Sequence, residues 1–333
     1  MNARRIGDDR AVQIQAGCLQ LLKYPTITLG GSAEHLFAFI HRVLPPGFGM
    51  RTSVDYTTSR AVRRLDLLEQ VDTSKMRATL TVTLQDDNVG HLPQVATENL
   101  AVLLDSSGRH GWDGFYTRHW ALGDLDPTVA WLARASWGSG LTPRDAHADH
   151  VRHVYGADAV DPFCRALRML EDATVILDLH LGPLFPVHDI MRSCLLRSAP
   201  VTRNFCHVAA IYESVRRLLD RIGASDVDAP SKAGNLDYWK SRLTFAILAL
   251  HEFRLLQEAG AALAGANAAD RQRGLEIAQR AVGHARKALR AMASQVRDDS
   301  DRGALAAYNH FLLREVEQEI EAVRNKEQHP CHD

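Results

Sequence analysis

The chain has 333 residues, room for roughly two domains at ~100–200 residues each. Its 46% hydrophobic content supplies a sizeable core, and a formal net charge of −1 removes the basic excess that a nucleic-acid or anionic-membrane partner requires. No apolar run approaches the ~18–20 residues of a membrane span. The start, MNARRIGDDRAVQ, lacks an apolar h-region after its basic residues, so no signal peptide is expected and the expected compartment is cytoplasmic. Five cysteines (Cys18, Cys164, Cys194, Cys206 and Cys331) are odd in number, widely spaced and without a CxxC pair. Free or buried thiols are expected rather than a disulfide framework or a zinc site.

In chain order, an amphipathic helix is predicted from about Ala11 to Leu22. Thr26 to Leu29 reads as a short strand ending at Gly30-Gly31. Ser32 can cap a helix carrying Leu36, Phe37, Phe39, Ile40 and Val43, ended by Pro45-Pro46-Gly47. A second strand, Met50 to Val54, ends on Asp55. Ser59 can cap a third helix, Arg60 to Val71. Next comes a clear period-two segment, in which Ala78, Leu80, Val82 and Leu84 alternate with Thr79, Thr81 and Thr83. This strand runs into Gln85-Asp86-Asp87-Asn88. Gly90 and Pro93 break the backbone, and a helix follows from Val95 to about Leu104. A fourth strand, Gly114 to Thr117, leads into Arg118-His119-Trp120, and Pro127 starts a helix through Trp137.

Four strand–helix units in succession predict a parallel sheet with helices packed outside it. Beyond residue 138 helical patterns dominate. They are Thr142-Pro143 to Tyr155, Asp161-Pro162 to about Leu179, Asn204 to Ile222, Leu236 to Leu263, Ala269 to Val296 and Asp301 to Asn325. Thr174 to Leu177 is also readable as a short strand, and Gly223 to Gly234 as a linker. The expected class is α/β: a partial (β/α) barrel followed by an all-α bundle. The expected domains are 1–137 (half-barrel), 138–232 (helical extension) and 233–330 (antiparallel bundle).

A strand that ends in carboxylates and turns into a helix is how a parallel sheet presents its site, since ligands sit at the carboxyl ends of the strands. Asp55 and the Asp86/Asp87 pair end two successive strands. Two carboxylates facing one substrate suit glycoside hydrolysis, where one group holds a proton and the other activates water or attacks carbon. The plainer reading of each Asp is a cap on the following helix. At the fourth strand end, Trp112, Phe115, Tyr116, Arg118, His119 and Trp120 cluster. Aromatic faces stack on sugar rings and Arg forks onto carboxylates, whereas core packing of Trp112 and Phe115 and a structural hydrogen bond for His119 are the plainer alternatives. His147, His150 and His153 recur in steps of three and read as a packed or solvated helix face rather than a metal site. GxSxG, GxGxxG, HExxH and Walker patterns are absent, so no cofactor and no metal are expected.

Four short runs carry a resemblance. They are Thr26-Ile27-Thr28-Leu29-Gly30-Gly31, then Gln85-Asp86-Asp87 with Leu92-Pro93-Gln94, then Gly114-Phe115 with Arg118-His119-Trp120, and Leu132-Ala133-Arg134-Ala135-Ser136-Trp137. Together they resemble the second half of a glycoside-hydrolase TIM barrel, most similar to bacterial α-glucuronidase-like enzymes with a helical C-terminal region. Leu236-Asp237-Tyr238-Trp239 and the Asp298–Gly303 turn fit that region. The resemblance implies that the four units correspond to strands five to eight, with Asp55 and Asp86/Asp87 supplying the general base at strands six and seven. Gln85, Tyr116, Arg118, His119 and Trp120 would then contact substrate, Arg118 and His119 receiving a sugar carboxylate. Two departures are Gln85 in place of a Glu, and the leaving-group acid, which belongs to the family's fourth strand and so precedes this chain. The expected partner is therefore a carbohydrate, together with a second copy or a separate N-terminal half-barrel. The alternative is a non-catalytic, carbohydrate-binding or structural half.

Overall fold

A computed structural model of the chain describes residues 26–29, 34–84, 92–118, 125–138, 140–180, 203–222 and 230–328. The helix expected over 11–22 lies outside them. The chain divides into two compact units, Met1–Asp86 with Ala96–His119, and Asp87–Val95 with Trp120–Asp333.

The first unit is built on a four-stranded, all-parallel sheet in the order β1 (Thr26–Leu29), β2 (Gly49–Thr52), β3 (Arg77–Thr83), β4 (Gly114–Arg118). Spatial order follows sequence order. Because crossovers between parallel strands are right-handed, this order sends every connection over the same face. That face is apolar: Ile27, Leu29, Met50, Ala78, Leu80 and Val82 are buried on it. The other face carries the alternate residues. Thr28 and Tyr116 on it are exposed, and Arg51, Thr79 and Thr81 are partly so. A parallel sheet covered on both faces reads as a near-continuous hydrophobic run; here the pattern has period two, and among the described residues the apolar face is the buried one.

Short helices connect the first strands: α1 (Ile40–Val43), α2 (Thr58–Ala61) and α3 (Asp66–Glu69). The helix expected to be capped at Ser32 is instead a 3-10 turn at Glu34–Leu36 followed by α1. The one expected to start after Ser59 begins earlier, capped by Thr57, whose Oγ1 accepts from Arg60 N–H at 3.2 Å. It is broken by the 3-10 turn Val62–Arg64. The longer α4 (Thr97–Arg109) follows β3. Trp112 is buried beneath it all, its indole Nε1–H donating to Leu68 O at 3.1 Å. This is the core role that was the plainer reading of that residue.

The second unit holds α5 (Asp126–Ala135), α6 (Pro143–Tyr155), α7 (Val160–His180), α8 (Arg203–Asp220), α9 (Pro230–Leu263), α10 (Ala268–Ala293), α11 (Asp299–Tyr308) and α12 (Arg314–Gln328). A π-helical turn, Asn309–Leu313, joins the last two. Local chemistry places the starts. Thr142 Oγ1 accepts from Asp145 N–H at 3.2 Å with Pro143 at the first helical position, and Asp298 Oδ1 accepts from Asp301 N–H at 3.0 Å. Thr174 to Leu177 lies inside α7, so the strand alternative for it is replaced by helix. The second part of the expected linker, from Pro230, is already helical. An apolar core of this unit takes in Leu92, Val95 and buried residues from Val151 to Ile320. Trp239 is buried in it, edge-on to Phe163 with ring centroids 5.7 Å apart. Among the described residues no helix is long and apolar enough to cross a membrane.

Candidate functional site

The carboxyl ends of β1 and β2 carry an acid, a base and a second acid in one chain of contacts. β2 ends at Thr52, and the chain turns through Ser53 and Val54 to Asp55. Asp55 Oδ1 accepts the Tyr56 amide at 2.6 Å, which fixes the carboxylate just ahead of the Thr57 cap. Its other oxygen lies 3.7 Å from Arg64 Nη1. The Arg64 Nη2 group donates to Glu34 Oε1 at 3.0 Å, and Glu34 opens the turn that follows β1. A hydrogen bond from its own backbone amide, then the Arg64 guanidinium, hold the Glu34 carboxyl below the usual carboxylate range. Asp55 is thus not the helix cap that was its plainer reading.

The Asp55 loop is also tied to the neighbouring strand. Thr58 Oγ1 donates to the carbonyl of Thr83, the last residue of β3, at 2.6 Å, and both threonines are buried. Asn99 Nδ2 of α4 donates to Ser59 Oγ at 3.2 Å, which holds the same turn from the helix side. One buried bond therefore fixes the β2 loop against the end of β3, and one partly buried bond fixes it against α4. In sequence Asp86 and Asp87 come three and four residues after Thr83. Gln85, Asp86, Asp87, His119 and Trp120 lie outside the described residues. Arg118 is the last residue of β4, paired with Thr83, and its side chain lies outside them too. Tyr116 is in the body of β4, on the open face, with the Arg51 guanidinium carbon 4.8 Å from its ring centroid.

The chain downstream of Asp87 is anchored within the second unit. Leu92 and Val95 are part of its core. The Pro93 carbonyl accepts from buried Tyr212 Oη at 2.7 Å on α8, and the Val95 amide donates to Thr174 Oγ1 at 2.9 Å on α7. Such side chain–backbone bonds satisfy polar groups that a buried loop would otherwise leave bare.

Among the described residues no group of three or more His, Cys, Asp or Glu side chains could hold a metal ion. His147 is buried on α6, and burial, then the neighbouring His150, push its imidazole down to about 4. It stays neutral and packed. The chemistry that sequence reasoning missed is Glu34, Arg64 and Arg51. Glu34 and Arg64 are 30 positions apart, and no local pattern links them. Arg51 sits at an ordinary strand position; its only signal was an arginine inside a period-two strand.

No family model, curated protein or solved structure matches the chain.

Proposed function

We propose that the chain is a glycoside hydrolase, or the C-terminal portion of one, working at the carboxyl edge of the parallel sheet. The observation that carries the reading is the Asp55 carboxylate at the end of β2, on a loop bonded through Thr58 to the last residue of β3. On this reading the four strands are one arc of a (β/α) barrel, equivalent to strands five to eight, and the helical unit is the region that follows the barrel. The order of the strands, each beside its sequence neighbour and all parallel, supports this arc.

The roles follow from the chemistry. Asp55 with Asp86 or Asp87 orients and deprotonates the attacking water. The proton for the leaving oxygen comes from a separate carboxylic acid, the one that the resemblance assigns to the fourth barrel strand. Arg64 holds Asp55 and Glu34 in place. Gln85, Arg118, His119, Trp120 and Tyr116 are the proposed substrate contacts, and the substrate is a sugar from a polysaccharide side chain.

The test is turnover of aryl glycosides, whose activated leaving groups depart without a proton donor, by the chain and by Asp55→Asn, Asp86→Asn and Asp87→Asn. Loss of a general base costs about 10²–10⁴-fold, so at least one variant is expected to fall by that amount with its helical signal intact. Equal turnover in all three would remove these acids from the mechanism.

A second reading is a non-catalytic half that pairs with another chain. What favours it is that, among the described residues, no strand pairs with the outer edge of β1 or β4, and open edges recruit further strands. Light scattering separates the two readings: a homodimer, or a complex with a separate N-terminal chain, supports pairing, and a monomer that melts cooperatively counts against it.

A further inference from the structure

The helical unit buries an ionisable side chain that the chemistry proposed at the sheet does not use. Glu252 stands on α9 in one stripe with Phe245, Ala249 and Leu256, all buried. Its partner is Tyr308, whose hydroxyl donates to Glu252 Oε2. The Tyr308 ring lies edge-on to Phe245, with centroids 5.1 Å apart. No other titratable group acts on the carboxyl. His251, next to it in sequence, meets Glu213 of α8 and His284 of α10 instead. Arg242, further back on α9, donates to Met292 Sδ at 3.6 Å. The residues that α10 buries are all apolar. Tyr212 of α8 is engaged with the Pro93 carbonyl, Asp301 of α11 with Tyr238 and the Arg297 amide, and Glu317 of α12 with Arg286. A carboxylate at Glu252 would meet one neutral hydroxyl and no cation, so the native group is the neutral acid.

The position of this pair in the fold matters as much as its chemistry. Tyr308 is the residue at which α11 gives way to the π turn Asn309–Leu313. Such turns have poorer hydrogen-bond geometry than the α-helix and recur at functional sites. The start of α11 is pinned separately. Tyr238 Oη donates to Asp301 Oδ1 at 3.0 Å, and the Arg297 guanidinium carbon lies 3.8 Å from the Tyr238 ring centroid. Beyond Tyr308 the attachments are buried Leu312, Leu313, Val316 and Ile320, and the Arg286–Glu317 ion pair. That pair is partly exposed and contributes little.

We propose that Glu252 and Tyr308 form a proton-held latch: the neutral carboxyl keeps the π turn and α12 docked on α9 and α10, and loss of its proton releases them as a unit while α7 and α8 stay folded. Proteins open locally in contiguous cooperative units of this kind. Burial pushes the docked carboxyl up to about 8, whereas in the released state it meets water and titrates near its ordinary 4.5. Release is therefore favoured about tenfold more for each pH unit between those values, and levels off above them. The latch is independent of the hydrolase reading.

Hydrogen exchange of the full chain, followed by mass spectrometry at pH 6, 7 and 8 and corrected for the intrinsic rate at each pH, tests it. Peptides covering 313–325 are expected to lose protection about tenfold between pH 6 and 7 and about fivefold more by pH 8. Peptides from α7 and α8 should not change. Glu252→Gln is neutral at every pH, so its protection over 313–325 should be flat. Tyr308→Phe removes the hydroxyl and leaves the buried acid, so release becomes easier throughout and its pH dependence stays. Circular dichroism of each variant checks the fold, and the comparison of segments within the unaltered chain stands even where a substitution disturbs the core. Three results would overturn the proposal: protection over 313–325 that does not vary with pH, an equal loss in α7 and α8, or a pH dependence that persists in Glu252→Gln.

Discussion

Glu252 offers the sharpest test of the helical unit. It sits on α9, buried, and accepts a hydrogen bond from Tyr308 Oη at the end of α11. Burial pushes its carboxyl up to about 8 from the ordinary 4.5, with the Tyr308 hydrogen bond acting in the opposite sense. The native group therefore keeps its proton until about pH 8, while the unfolded chain releases it near 4.5. Between those values the native state holds one proton more. Its stabilising contribution is fully present below the unfolded value and is lost as pH rises through the folded one. The loss is about tenfold in the folding equilibrium per pH unit, a few kcal/mol over the window. Against a typical total of ~5–15 kcal/mol this is a large share.

Glu252→Gln is the isostere of the neutral acid and keeps an acceptor for Tyr308. Urea unfolding at pH 5, 6, 7 and 8 should place the variant within ~1 kcal/mol of the wild type at pH 5. By pH 8 the variant should be the more stable by a few kcal/mol. Two parallel stability–pH curves would refute the reasoning, because they would mean that Glu252 titrates alike in both states.

Two other outcomes follow from the same geometry. Tyr212→Phe strands the Pro93 carbonyl in the core and should cost about 1–2 kcal/mol, read as a lower urea midpoint at unchanged slope; no shift would mean that the carbonyl is satisfied by other means. His147→Gln should flatten the acid limb of the melting curve. The buried imidazole is pushed down to about 4 from 6.5, so the unfolded chain takes up the proton first as pH falls, and that penalty disappears in the variant. Thermal melts between pH 4.5 and 7 would show it, and identical acid limbs would exclude it.

What could be read from the chain alone depended on how local the cause was. Caps are local: Thr142-Pro143 and Asp298 announce their helices in three or four residues, and the structure uses them. The Thr79-Thr81-Thr83 alternation named β3, and the structure places a strand there. The competition between Thr57 and Ser59 was not legible, because both are good caps and the choice rests on Thr58 reaching the Thr83 carbonyl 25 positions away. The bond between Arg64 and Glu34 likewise forms only once β1 and β2 pair. Thr174 to Leu177 was ambiguous because four apolar or β-branched residues carry no period; the buried positions on either side in α7 decide it. A buried Glu252 has no signature at all, since its neutral form is created by the core around it.

The wide turn at Asn309–Leu313 has a consequence for how this chain tolerates change. Ala304, Tyr308, Leu312, Val316 and Ile320 recur every four residues and are all buried. In an unbroken α-helix each such step overshoots a full turn by about 40°, and the stripe would wander off its seat. A π-turn absorbs one surplus residue, so the stripe stays on course. Loss of one residue inside this turn would leave an ordinary helix with α12 still in phase. The same loss a turn later would swing the apolar edge of α12 outward by about 100°.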